Sequence, residues 1–298
     1  ASTISSTYAV STSGDITDSG VITVTGTTTL TAPGQDITLN NNNNFTGAVT
    51  ITNGAIDAAD VTLTDINNII IAASAVNGDL TINTTASSGN GNITQTGIIT
   101  VGGTLTVQAG TGDITLGNAF NNDFNKVTIT SGGDVTIFDD VGSLVLTGAS
   151  DVSGDLTITA DAASITDDAG TTLSVDGNTS ITANTAGSSL SLDSGAANYT
   201  FTGTLTFAST GGLDDVTVTD TTALDVEGLT LTGDLSITAA GLTQDETDAT
   251  AELTVAGTTS LHDRDALDRN RRHGVVVANG RLRLVSRQRR SARIRQAD

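Results

Sequence analysis

The side chains best suited to chemistry are carboxylates set in pairs: Asp139-Asp140, Asp167-Asp168, Asp214-Asp215, and Asp245-Glu246 with Asp248 close behind. Adjacent carboxylates in turns offer the several oxygens that calcium prefers, and two carboxylates at a suitable separation can hydrolyse a glycosidic bond. The surroundings favour neither. The EF-hand spacing and the Gly-Gly-x-Gly-x-Asp nonapeptide are both missing. Asp139, Asp140, Asp167, Asp168, Asp214 and Asp215 therefore stand as calcium candidates, beside the simpler reading that they are solvated turn residues. For hydrolysis, residues 1–261 contain no His, Cys or Arg, and Lys126 is their single basic residue. Two Tyr and six Phe are too few to build aromatic platforms for a sugar. With Lys126 alone to stabilise developing negative charge, the expectation is no enzyme, no catalytic residue and no cofactor other than calcium.

Charge is divided sharply along the chain. Residues 1–261 hold 29 acids against one base, and residues 262–298 hold 11 Arg against four Asp. An acidic body of this kind repels nucleic acid and anionic membranes while attracting cations. No apolar run approaches the roughly 18 residues of a membrane span. The absence of Cys excludes disulfides and thiolate metal sites. Ala1 in place of Met suggests a chain processed or cut from something longer.

The elements that would carry these residues repeat. "ITDSGVITV" from Ile16, "ITQTGIITV" from Ile93, "ITDDAGTTLSV" from Ile165 and "LTQDETDATAELTV" from Leu242 mark a module of about 75 residues. A second marker runs "DVTLTD" from Asp60, "DVTIFD" from Asp134 and "DVTVTD" from Asp215. Inside each module a Gly-led strand recurs, as in "GDLTINT", "GTLTVQA", "GDVTIFD" and "GDLTITA". Alternation such as Leu156-Thr157-Ile158-Thr159 puts aliphatics on one face and Thr on the other. Gly-Asp, Gly-Gly and Asn-Gly pairs supply turns, and no 3.6-residue period indicates a helix. Apolar residues make up 37% and aromatics 3%, a vocabulary suited to many thin layers rather than one thick core. The fold expected is all-β: residues 1–261 form a parallel β-solenoid of roughly ten coils, a rod of about 50 Å at about 4.8 Å per coil. Tandem β-sandwich modules of about 75 residues are the alternative.

Three polar patterns remain. The run Asn40 to Asn44 aligns with Asn121 and Asn122, each ahead of a Phe (Phe45, Phe124), and suggests stacked amide ladders or else solvated loops. Thr-x-Thr pairs such as Thr50/Thr52, Thr104/Thr106 and Thr157/Thr159 resemble the surface of ice-binding proteins. The irregular coil length argues against the required register, so Thr is read as a β-branched residue suited to exposed strands. Sequons at Asn44, Asn83, Asn92, Asn178 and Asn198 carry no weight in so Thr-rich a chain.

Residues 262–298 break the pattern. Shifted by one base, codons for His262-Asp263-Arg264-Asp265 encode the body's own vocabulary, which marks this basic tail as a candidate frameshift product. As a genuine segment, "VVVANGRLRLV" would form a hairpin through Asn279-Gly280, with its Arg residues binding an acidic neighbour or an anionic surface.

"GDLTITA", "GTLTVQAGTGDITL" and "NNDFNKVTITSGGDVTI" resemble the repeats of large secreted bacterial proteins related to the filamentous haemagglutinin family, the β-strand-repeat adhesins, over residues 14–261. The resemblance implies an extracellular or cell-surface adhesin stalk and a host-surface or glycan ligand. A self-assembling subunit of an extracellular filament or surface layer is the alternative, with head-to-tail homopolymers as partners.

Overall fold

A computed structural model describes residues 1–52, 58–85, 90–117, 121–194, 198–209, 211–227, 229–243, 253–263, 271–278 and 281–288. Every regular element in these segments is a β-strand. Strands up to Asp263 pair with one another in parallel, coil upon coil. The first coil runs through Ser2–Ile4, Tyr8–Ser11 and Ile16–Thr17, and the second through Ile22–Val24, Thr28–Thr31 and the start of Ile37–Phe45, whose last residues pair with Ile22–Val24 and open the third. One sheet stacks twelve such strands, from Tyr8–Ser11 to Gly241–Thr243. This is the expected β-solenoid of about ten turns, and its parallel pairing sets aside the sandwich alternative, which needs antiparallel neighbours.

Alternation builds the core. In Leu156–Ala160 the residues Leu156, Ile158 and Ala160 are buried while Thr157 and Thr159 are half-exposed. A lone strand of this kind leaves its apolar face in water. Stacked at about 4.8 Å, the coils bury one continuous column that runs from Ile16 to Leu242. Among the described residues the largest fully buried side chains are aromatic: Tyr199, Phe45, Phe124 and Phe201.

Coil length varies while most of the register survives. The step between paired residues in the twelve-stranded sheet ranges from 18, Ala223 to Gly241, up to 26, Thr179 to Leu205. Extra residues are taken up between strands or as irregularities within them, as between Leu39 and Asn43, Val101 and Thr104, and Ser188 and Leu190, yet Thr17, Thr38, Thr62, Thr81, Thr106 and Thr128 still lie in direct register on one sheet. The inference from irregular coil length to irregular Thr register is thus corrected.

Parallel pairing continues through Thr259–Asp263, where Leu261 and His262 lie against Ile237 and Thr238. Arg271–Ala278 and Arg281–Gln288 then pair antiparallel, with Ala278 opposite Arg281. Asn279 and Gly280, the expected turn, fall outside the described residues, as do Asp245, Glu246 and Asp248. Leu282 pairs antiparallel with Leu253, which attaches Arg281–Gln288 to the strand Leu253–Val255.

Candidate functional site

The Asp residues that follow Gly at strand starts do more than make turns. Asp134 donates its backbone N–H to Asp113 Oδ1 (3.1 Å), Asp155 to Asp134 Oδ1 (2.9 Å), and Asn178 to Asp155 Oδ1 (2.7 Å). The row extends down to Asn92 and Asn68 and up to Thr204. A second row links Asp15, Asp36, Asp60, Asp79 and Thr104, and a third links Asp215, Asp234 and Thr258. In each, the side chain of one coil accepts the N–H of the matching residue in the next.

This geometry explains the Gly. A Cβ on Gly154 would lie 2.1 Å from Asp134 Oδ1, and one on Gly177 would lie 2.4 Å from Asp155 Oδ1. The carboxylate of the coil below occupies the space a side chain would need, so Gly-Asp recurs as a unit. Successive carboxylates repel by about 1 kcal/mol at this spacing in water. A hydrogen bond to a charged acceptor contributes about 1.5–3 kcal/mol, which is enough to hold the row.

Among the described residues three other aspartates are buried: Asp65, Asp139 and Asp220, each with 0% exposure. They lie one after each strand alternation, at "VTLTD", "VTIFD" and "VTVTD". Asp65 Oδ2 accepts the Phe45 N–H at 2.6 Å and its Oδ1 accepts that of Asn67 at 2.7 Å. Asp139 Oδ1 accepts the Phe124 N–H at 2.8 Å, and Val141 supplies a second backbone donor. Asp220 Oδ1 accepts the N–H and hydroxyl of Thr222 at 2.8 and 2.9 Å. The Phe201 N–H faces Asp220 without closing a bond of normal geometry to Oδ2, which has no partner; Asp139 Oδ2 likewise has none. Burial pushes the Asp65 carboxyl up to about 6 against its backbone donors. It pushes Asp139 up to about 7, helped by the Asp123 and Asp140 carboxylates, and raises Asp220 as well.

The sequence-derived calcium candidates are dispersed among separate roles. Asp139 is a core cap, and the Asp140 N–H donates to the Asn122 carbonyl. Asp167 accepts the Tyr199 hydroxyl and the Ser194 N–H; burial, then the Asp167 carboxylate, hold the Tyr199 phenol far above its ordinary range. Asp168 pairs with Lys126 at 2.6 Å, which keeps its carboxyl low. Asp215 belongs to the third row, and Asp214 Oδ1 accepts the Thr232 hydroxyl at 3.3 Å. Among the described residues no three His, Cys, Asp or Glu side chains are grouped so as to hold a metal ion.

The amide-ladder reading of the Asn residues is corrected. Asn43 and Asn122 are buried, but they cap backbone instead of stacking on each other. Asn43 Oδ1 accepts the Ile22 N–H and its Nδ2 donates to Asp18; Asn122 Oδ1 accepts the Ile99 N–H while its Nδ2 donates to Gln95. One cleft of about 440 Å³ is lined by the uncharged Asn44, Thr46, Asn67, Asn68 and Ile70. Ile70 stands in register with Thr94, and the next three places in that row are Thr115, Thr136 and Thr157.

Fold and hydrogen-bond rows together define a repeat β-solenoid, an architecture typical of structural proteins. The chain belongs to the family described as "Repeats of unknown function (DUF5649)", which matches residues 1–52, 58–131, 132–208 and 213–268. No curated protein and no solved structure matches it. Among the described residues no helix is long and apolar enough to cross a membrane.

Proposed function

We propose that the chain is a non-enzymatic stalk segment of a secreted or surface-displayed adhesin, a stiff spacer that carries a binding region outward. The observation that supports this most directly is the column of buried apolar residues from Ile16 to Leu242, backed by rows of side-chain caps along the same axis. Such a stack resists bending because each coil is hydrogen-bonded along its strands to two neighbours. A host-surface or glycan ligand would be received by a surface such as the uncharged amide cleft at Asn44, Asn67 and Asn68.

Electron microscopy and analytical ultracentrifugation of the purified chain test the reading, together with protease shaving of intact cells and a glycan array. A monomeric rod about 50 Å long, accessible at the cell surface, is expected. Regular polymers in the micrographs would favour the filament subunit instead, and glycan turnover would overturn the non-enzymatic reading.

A further inference from the structure

The family segments beginning at residues 58, 132 and 213 each place a buried aspartate at their eighth residue: Asp65, Asp139 and Asp220. Each of these carboxyls faces the backbone N–H of a phenylalanine in the segment before it, namely Phe45, Phe124 and Phe201. The same three places hold the bulkiest fully buried side chains among the described residues, and at the last of them Tyr199 stacks on Phe201 with ring centroids 6.2 Å apart. Every junction between successive repeats therefore has one design: a buried carboxyl from the incoming repeat, set against a large aromatic residue of the outgoing one.

We propose that these junctions are proton-linked joints, closed when Asp65, Asp139 and Asp220 carry a proton and loosened when they ionise, so that the rod stiffens in mildly acidic surroundings at regular intervals along its length.

The argument is one of geometry and desolvation. A neutral carboxyl still accepts the Phe N–H through one oxygen and loses little on burial, whereas a carboxylate must give up its hydration. At Asp139 and Asp220 the second oxygen has no partner to offset that loss. The charged groups facing Asp139 are Asp123 and Asp140, both of the wrong sign to stabilise a second negative charge. Around Asp65 and Asp220 the described partners are backbone amides and the Thr222 hydroxyl, none of them charged. The sign follows. Because burial raises these carboxyls above their unfolded range, the stability they contribute is complete in acid and is lost as pH rises through about 6 at Asp65 and about 7 at Asp139. The exposed rows provide an internal control, since their carboxylates are already in water. The device is independent of whether the rod serves as a stalk or as a filament.

Hydrogen exchange of the full chain, read as protection factors so that intrinsic base catalysis cancels, gives the test. Between about pH 5 and about pH 8, protection of the Phe124 amide should fall roughly ten- to a hundredfold, while the Asp155 amide in the exposed row changes little. In Asp139→Asn, which keeps the acceptor oxygen and removes the titration, protection at Phe124 should become flat while Phe45 retains its response. An equal fall at every coil would point to general charge repulsion and overturn the proposal, as would an unchanged response in the variant. If Asp139→Asn fails to fold, a carboxyl-carbon NMR titration of the unaltered chain decides: a midpoint well above the ordinary carboxyl range supports the joint, and one within that range removes it.

Discussion

Asp134 precedes the strand Val135–Asp139 and Asp139 ends it, and both accept a backbone N–H from an adjacent coil. Asp134 stands at an exposed corner, whereas Asp139 is sealed in the core. In water the charge strengthens the bond: in the exposed row, the Thr258 N–H holds Asp234 below the ordinary carboxyl range. In the core, lost hydration outweighs the same kind of bond and drives Asp139 up to about 7. A hydrogen bond of one type thus tightens with ionisation at the corner and slackens with it at the junction. Burial decides the sign.

The largest effect expected to test this contrast is on global stability. Urea unfolding should show the chain losing on the order of 2–4 kcal/mol between about pH 5 and about pH 8, and Asp65→Asn with Asp139→Asn should remove most of that slope. A slope unchanged in the double variant would mean the core carboxyls are not its source. Next, Asp139→Ala at about pH 5 should cost about 2–3 kcal/mol, because it strands the Phe124 N–H and leaves a cavity. Asp134→Ala orphans the exposed Asp155 N–H, which can turn to water, and should cost about 1 kcal/mol; equal costs would erase the distinction between corner and core.

Gly154→Ala sharpens the corner half of the comparison. It should cost about 1–3 kcal/mol through the clash with Asp134 Oδ1, and in an Asp134→Ala background that cost should shrink, a coupling that thermal melts of the four-member cycle can measure. Additive costs would show that the Gly is required for another reason. Replacing Lys126 by Ala should change stability by less than about 1 kcal/mol, since its bridge to Asp168 is exposed at 37% and 41%. The smallest effect, within about 0.5 kcal/mol, is expected for Thr115→Ala on the outer face.

Much of this was legible in the sequence. Strict alternation gave the inward faces, and the recurring "GD" strings gave the coil starts. What composition and motif reading misses is the use of the Asp side chains as acceptors between coils. A carboxylate row depends on which residues become neighbours one coil later, about 20 positions away, and irregular steps hide that spacing. The buried caps did leave a signal. Val135, Ile137 and Asp139 share one parity, as do Val61, Leu63 and Asp65, so carrying the period-2 pattern one step further puts the carboxyl inside. An amide ladder through Asn43 and Asn122 fails because it matches local runs to each other, whereas their partners, Asp18 and Gln95, lie in neighbouring coils; Asn40, Asn42 and Asn121 are exposed, as solvated residues would be.

The exposed rows have an arrow. Asp113 holds Asp134, Asp134 holds Asp155, and Asp155 holds Asn178, always an earlier residue reaching for a later one. A chain emerging from its amino-terminal side would therefore present, at each finished coil, an acceptor waiting for the segment still to come. The core caps reach backward, Asp139 to Phe124 and Asp65 to Phe45. Winding can thus proceed as a ratchet: the corners recruit the next coil, and each new repeat locks the completed one behind it.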